Sequence, residues 1–314
     1  MIEQFADPQH LAEILASTIR IATPVAFAAL GGVLSERSGV YNIGLEGMIL
    51  AGAFGAAAGS YAAGSPAVGL LMGVLCGLVA GALLALLAIR FRVNQLVAGI
   101  AINLLLAGLT AFGSRLVFGE RAGGARVEGL APAEIPLLSD LPIVGPAFFA
   151  QDPLVYLLVA LTISGWWWLF RTGSGLDLRA TGENPRAADT AGIAVFRTRY
   201  LAVMISGALA AAGGCHLVLS QVYLFSEGMS AGKGFIALAA IILGRWSPVG
   251  AILAALLFGF CDTMQLRLQF ANPDVPYQVF LIIPYAAALI ALVGLVGKSR
   301  PPASIGLSYD RETR

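Results

Sequence analysis

A succession of apolar runs, most of them long enough to cross a bilayer, dominates this sequence. They lie near 14–34, 43–63, 66–89, 94–116, 153–170, 200–223 and 277–297, with a shorter pair at 234–244 and 249–265. A spanning helix needs about 20 mostly apolar residues, because the hydrocarbon core is about 30 Å thick and each residue rises about 1.5 Å. Backbone groups in hydrocarbon must be bonded internally, so runs of this length predict helices. The run at 234–244 is too short to span, and Arg245, Trp246, Ser247 and Pro248 part it from the next. Residues 234–265 therefore read as a half-helix followed by a full helix, or as two short tilted ones. The expected architecture is an all-α, polytopic membrane bundle of about eight to ten segments. Residues 1–314 form one transmembrane domain in this reading.

Composition points the same way. Only 12% of residues are charged, against about 25% in soluble domains. The net charge of +1 leaves no basic face for nucleic acid and no acidic tail. The 38 glycines let membrane helices approach closely. Gly69, Gly73, Gly77 and Gly81 recur every fourth residue and form one stripe down a helix. That stripe serves either a subunit contact or packing within one chain. Cys76, Cys215 and Cys261 lie far apart in apolar surroundings and read as small buried hydrophobes. Residues 1–10 are polar and acidic, unlike a cleavable signal peptide.

Loop charges set the orientation, since cytoplasmic loops carry excess Lys and Arg. Arg90 and Arg92, the loop 171–199 with its five arginines, and the tail with Lys298, Arg300, Arg311 and Arg314 belong on the cytoplasmic side. The loop 119–152 has two arginines against five acidic residues and several prolines, which suits the outer face.

Two polar stretches stand out. The first, 31–48, places glycines, Ser35, Glu36, Arg37, Ser38, Asn42 and Glu46 between two apolar runs. Irregular backbone at membrane depth is tolerated only where protein buries it or where it lines a wet cavity. Asn42 and Glu46 are four residues apart and would share one face of a helix. Glu46 is either a pathway residue or a charge placed to suit a helix N-terminus. Asn103, with Asn94 and Gln95, either joins the pathway or bonds between helices. Asn42, Glu46 and Asn103 are the candidates for a translocation pathway.

The second stretch runs from Arg179 to Ile193. Asn184 is a good N-cap, Pro185 suits the first helical position and Gly192 is a natural stop. This predicts a short cytoplasmic helix of about two turns, with Ala187, Ala188 and Ala191 making a small-residue surface. Such a helix either fits a groove on another protein or is an ordinary capped surface helix.

No nucleotide-binding loop is present. Gly232-Lys233-Gly234-Phe235-Ile236-Ala237 has dinucleotide-type spacing but follows no strand and opens an apolar segment. Gly228 to Lys233 is one residue short of a phosphate loop and lacks the following Ser or Thr. His10 and His216 are far apart, and nothing supports a metal site. No cofactor is expected, and any ATP must be bound by another chain.

Residues Leu34 to Met48, Leu-Ser-Glu-Arg-Ser-Gly-Val-Tyr-Asn-Ile-Gly-Leu-Glu-Gly-Met, closely resemble the signature of nucleoside-type ABC importer permeases. These sit in the larger group that includes ribose and branched-chain amino acid permeases. Ala180 to Ile193 resembles that group's cytoplasmic coupling segment, and Gly234 to Ala239 with Leu243-Gly244 is similar as well. The likeness covers most of the chain, from about residue 14 to 297. It implies a type II importer fold in a bacterial inner membrane. It also implies a separate cytoplasmic ATPase, a second and longer permease forming a heterodimer, and an external lipoprotein that captures a small-molecule substrate. Nucleosides or related ribosyl or simple-sugar compounds are the implied cargo. Gly182, Asn184, Pro185, Ala187, Ala188 and Gly192 would then couple to the ATPase. The competing class is a secondary transporter driven by an ion gradient. Such proteins carry several mid-membrane carboxylates, whereas Glu46 and Asp262 here both lie near run ends. A membrane-embedded enzyme would need a cluster of His, Asp or Ser that the sequence does not offer.

Overall fold

The computed structural model describes residues 8–119, 126–136, 139, 143–272, 274–294 and 300–311. In chain order the helices are α1 (Pro8–Arg37), α2 (Leu45–Ala63), α3 (Pro66–Ala85), α4 (Gln95–Phe118), α5 (Pro153–Arg171) and α6 (Gly173–Glu183). They continue with α7 (Pro185–Thr190), α8 (Val195–His216), α9 (Lys233–Leu243), α10 (Pro248–Ala271), α11 (Tyr277–Phe280) and α12 (Ile282–Gly294). Wider π-type turns extend α3 through Leu86–Arg90 and α8 through Leu217–Val222. Among the described residues, six helices are long and apolar enough to cross a membrane: α1, α3, α4, α5, α8 and α10. Helix α2 is also 19 residues long, but richer in Gly and Ala. The all-α membrane architecture expected from the apolar runs is the one adopted.

Helix α8 is the hub, packed on α1, α2 and α3, while α10 lies along α1. Protein encloses most of α1 and α8, whereas most of α4 faces outward. The exposed face of α4 carries Leu104, Leu109, Phe112 and Leu116, which hydrocarbon or another apolar surface must cover.

The glycine stripe of α3 is spent inside the chain. Gly73 meets the Gly52 carbonyl and Cys215, and Gly77 meets the Gly207 carbonyl. A β-carbon on Gly77 would stand 2.2 Å from that of Ala211. Of the two readings, internal packing is correct.

Helix α9 has 11 residues and therefore rises about 16 Å, half of a bilayer core. The chain reaches it through 223–232, where Gly228 and Gly232 adopt positive φ. Pro248 then starts α10 at its first turn. Residues 234–265 are thus a half-helix followed by a full helix.

The two ends of the bundle differ. At one end, Ala133–Glu134 pairs antiparallel with Ala150–Gln151. Ser60 Oγ donates to the Glu128 carbonyl at 2.7 Å, and the Leu130 amide to the Leu219 carbonyl at 2.7 Å. At the other end lie Arg92, α6, α7 and the segment 300–311. Arg92 pairs with Asp310 at 2.5 Å and Arg311 with Asp189 at 3.1 Å. Of the basic regions expected on the cytoplasmic side, Arg92, the loop 171–199 and Arg311 share one end, while Lys298 and Arg314 lie outside the described residues. One element was not foreseen: the loop 171–199 opens with the 11-residue helix α6.

Candidate coupling site

Helix α7 is built as its sequence dictates. Asn184 Oδ1 accepts the Ala187 amide at 3.1 Å, and Pro185 occupies the first turn. Gly192, at φ +89°, donates to the Asp189 carbonyl, and Ile193 donates to that of Ala188, each at 3.0 Å. This pair of bonds closes a helix C-terminus around a left-handed residue. The helix is six residues long.

Its faces differ from the expectation. Ala187, Thr190 and Ala191 are exposed. Ala188 is only 3% exposed and packs with Val195 and Tyr309. A six-residue helix gives too little periodicity for the sequence to say which alanine turns inward. Ala188 thus belongs to the chain's own packing, not to the outer small-residue surface. Gly182 also points inward, from the end of α6. A β-carbon there would lie 2.0 Å from the Arg37 carbonyl. Gly182 therefore seats α6 directly on the end of α1.

Beyond Arg37 the chain breaks out of helix until Leu45. This break is irregular and largely bonded, although Glu36 Oε1 and Asn42 Oδ1 are buried without partners. Ser35 Oγ donates to the Val40 carbonyl at 2.8 Å, and the Tyr41 amide donates to Gln95 Oε1 at 2.6 Å. Asn42 is fully buried, and its Nδ2 donates to Ser206 Oγ at 2.8 Å. Asn103 clamps the entry to α2, donating to the Ile43 carbonyl at 2.9 Å and accepting the Gly47 amide at 2.8 Å. Glu46 accepts the amides of Gly232 at 2.8 Å and Gly234 at 2.6 Å. Its carboxylate thereby caps the N-terminus of α9, where the helix dipole favours negative charge. Because α2 begins at Leu45, Asn42 and Glu46 do not share a helical face. Asn94 caps α4 through the Leu96 amide at 3.0 Å.

Three side chains have roles that the sequence reading did not assign. Glu36 accepts from Trp246 Nε1 at 2.5 Å, while Arg37 Nε donates to the Trp246 carbonyl at 2.8 Å. These bonds tie the end of α1 to the turn after α9. Arg199, only 2% exposed, joins four segments. Its Nε donates to the Ser38 carbonyl at 3.0 Å. Its Nη2 reaches the Thr181 carbonyl and Ser304 Oγ, both at 3.2 Å, and Nη1 the Leu307 carbonyl at 3.2 Å. In sequence Arg199 is one more arginine in a basic loop; nothing local marks it as central.

At the opposite end, His216 and Asp152 form a buried pair at 2.9 Å, with Asp152 also capping α5. Among the described residues no group of three metal-ligating side chains occurs. The chemistry at this end of the bundle is mechanical. Short, directional bonds fix α6, the break, α2 and α9 to one another, and α7 extends from that frame with one face open.

The chain matches the model of the "Branched-chain amino acid transport system / permease component" family over residues 14–294. It is 39% identical to the guanosine ABC transporter permease protein NupQ of Bacillus subtilis, over 98% of this chain and 99% of that one. It is 36% identical to the nucleoside ABC transporter permease protein NupC of Lactococcus lactis, over 94% and 96%. It is 34% identical to the putative glucose ABC transporter permease protein TsgC13 of Haloferax volcanii, over 96% and 98%. The apolar bundle, the half-helix at the polar break and the capped helix beside it are therefore those of a membrane transport subunit, and the chain belongs to this permease family.

Proposed function

We propose that this chain forms the transmembrane path of an ATP-driven importer for nucleosides or related ribosyl or simple-sugar compounds. One observation carries the mechanism: α7 is firmly capped at both ends, packed inward through Ala188 and open outward through Ala187, Thr190 and Ala191. That is the form of a small rigid plug for a groove on a cytoplasmic ATPase, and Gly182, Asn184, Pro185 and Gly192 hold it in place. ATP closes the ATPase, α7 moves, and the frame beneath it shifts α1, α2 and α9. Asn42, Glu46 and Asn103 act at the pathway by holding the break and the half-helix beside it. The largely exposed, apolar α4 offers surface for a second permease. The chain's length resembles the shorter partner of an unequal pair. An external substrate-binding lipoprotein delivers cargo to the other end.

The substrate class follows the relatives named for guanosine, nucleosides and glucose. The test is uptake by membrane vesicles holding the whole transporter, with internal ATP and no ion gradient, offered guanosine, other nucleosides, ribose and glucose. ATP-dependent uptake of a nucleoside or sugar is expected. Uptake that ignores ATP and follows an imposed ion gradient would favour a secondary transporter instead.

A further inference from the structure

The segment 300–311, beyond the last helix, looks in sequence like a polar tail. In the structure it is a fitted part. The Ser304 amide donates to the Gly182 carbonyl at 2.9 Å, and Ser304 Oγ to the same carbonyl at 2.6 Å. The Gly306 amide donates to the Gly39 carbonyl at 3.2 Å. The Leu307 carbonyl accepts from Arg199. Tyr309 is 7% exposed and packs on Ala188, Val195 and Phe196. Asp310 pairs with Arg92 and Arg311 with Asp189.

These contacts fall in a meaningful order along the segment. Ser304 and Gly306 touch the end of α6 and the break. Tyr309 and Arg311 touch α7. Asp310 reaches the link between α3 and α4. Without the segment, α7 is joined to the break mainly through α6 and the start of α8. With it, a second and independent connection runs from the inner face of α7 to Gly39. Arg199 ties that connection to Ser38 and Thr181. Two parallel links resist rotation where a single link acts as a hinge.

We propose that residues 300–311 form a strap that makes the coupling helix and the helix break move as one body, with Arg199 as its positioning residue. The strap sets how completely motion at α7 reaches the break. This inference rests on the importer reading for its purpose, but the mechanical claim stands on the permease alone.

The experiment uses spin-label pairs on the otherwise cysteine-free full chain. One pair, at Thr190 and Tyr41, spans α7 and the break. A control pair, at Ala63 and Ser226, sits at the opposite end. The variants are removal of 300–314, Arg199→Lys, and Tyr309→Ala combined with Arg311→Ala. In the parent chain, measured without the ATPase because the label at Thr190 lies on the open face of α7, the α7–break distance should be narrow. Removal of the segment should broaden it by about twofold, as expected for loss of local restraint, and leave the control pair alone. Arg199→Lys, which cannot reproduce the forked donor set, should broaden it less. Should the shortened chain fail to accumulate, the double substitution carries the same comparison. An unchanged distance distribution in the variant chains, with unchanged stimulation of ATP hydrolysis in the complex, overturns the strap. Failure of the parent chain to recover any ATPase would instead count against the importer reading, and would leave the permease-only comparison standing.

Discussion

The helix break and helix α7 share one end of the bundle, yet they treat polar groups in opposite ways. Around the break, Asn42 Nδ2, Glu46, Asn103 and Arg199 bond to named partners within the chain, while Asn42 Oδ1 is buried without one. Helix α7 caps itself and then presents Ala187, Thr190 and Ala191 to the outside. An unpaired polar group costs about 1–3 kcal/mol in a buried site, so irregular backbone inside a bundle must be bonded throughout. A surface helix carries no such constraint and can keep a bare, small face. The comparison separates a frame, whose residues hold position, from a contact, whose residues must stay out of the way.

Five substitutions test that separation, from the largest effect to the smallest. Arg199→Ala removes a donor from the carbonyls of Ser38, Thr181 and Leu307, leaving Ser38 and Thr181 only longer bonds from Thr181 Oγ1 and Ser304 Oγ, at about 1–3 kcal/mol for each one left unpaired and kept from water. The chain should fail to accumulate in membranes, measured by immunoblot and by melting of whatever protein is extracted. Normal abundance and melting would break the notion of a frame. Next come the two tryptophans. Ala188→Trp overpacks the pocket of Val195 and Tyr309, typically at about 1–3 kcal/mol, and should lower the melting temperature. Ala187→Trp should leave melting alone but reduce ATPase recovered per permease by about 5- to 150-fold, the same energy range applied to association. If both variants behave alike, α7 has no separate inner and outer faces. Glu46→Gln keeps the shape but removes the charge at the start of α9, an effect of about 1–2 kcal/mol. Melting should fall while uptake per folded molecule holds. Lost uptake at full stability would move Glu46 from the frame into the pathway. Last, Arg115→Ala breaks the exposed pair with Glu227 at the opposite end. Exposed pairs are worth about 0–1 kcal/mol, so neither melting nor uptake should change; a large effect would show that the quiet end is also framed.

What the sequence could reveal follows from the range of the forces involved. Spans were legible because bilayer thickness imposes a length and a composition on each run separately. The caps of α7 were legible because Asn184, Pro185 and Gly192 act on neighbours within a few residues. The inward turn of Ala188 was not, since six residues are too short to show a buried stripe. Helix α6 was missed because its polar residues and glycines carry no apolar pattern; its seat is the Arg37 carbonyl, far away in sequence. Arg199 was hidden for a different reason. Its role is defined by Ser38, Thr181, Ser304 and Leu307, and a basic loop gives no sign of them. Glu46 sits between these cases. The sequence offered a pathway carboxylate or a helix-end charge, and the structure shows a helix-end charge for α9 as well as for its own helix.

The order in which the chain is made gives the segment 300–311 one further consequence. A ribosome delivers it only after every span has been handed to the membrane. Until then Tyr309 is missing from the underside of α7, and Ser304 and Leu307 are missing from around Arg199. A chain ending before residue 300 would hold helices α1–α12 and still lack the packing of Tyr309 under α7 and two of the partners of Arg199.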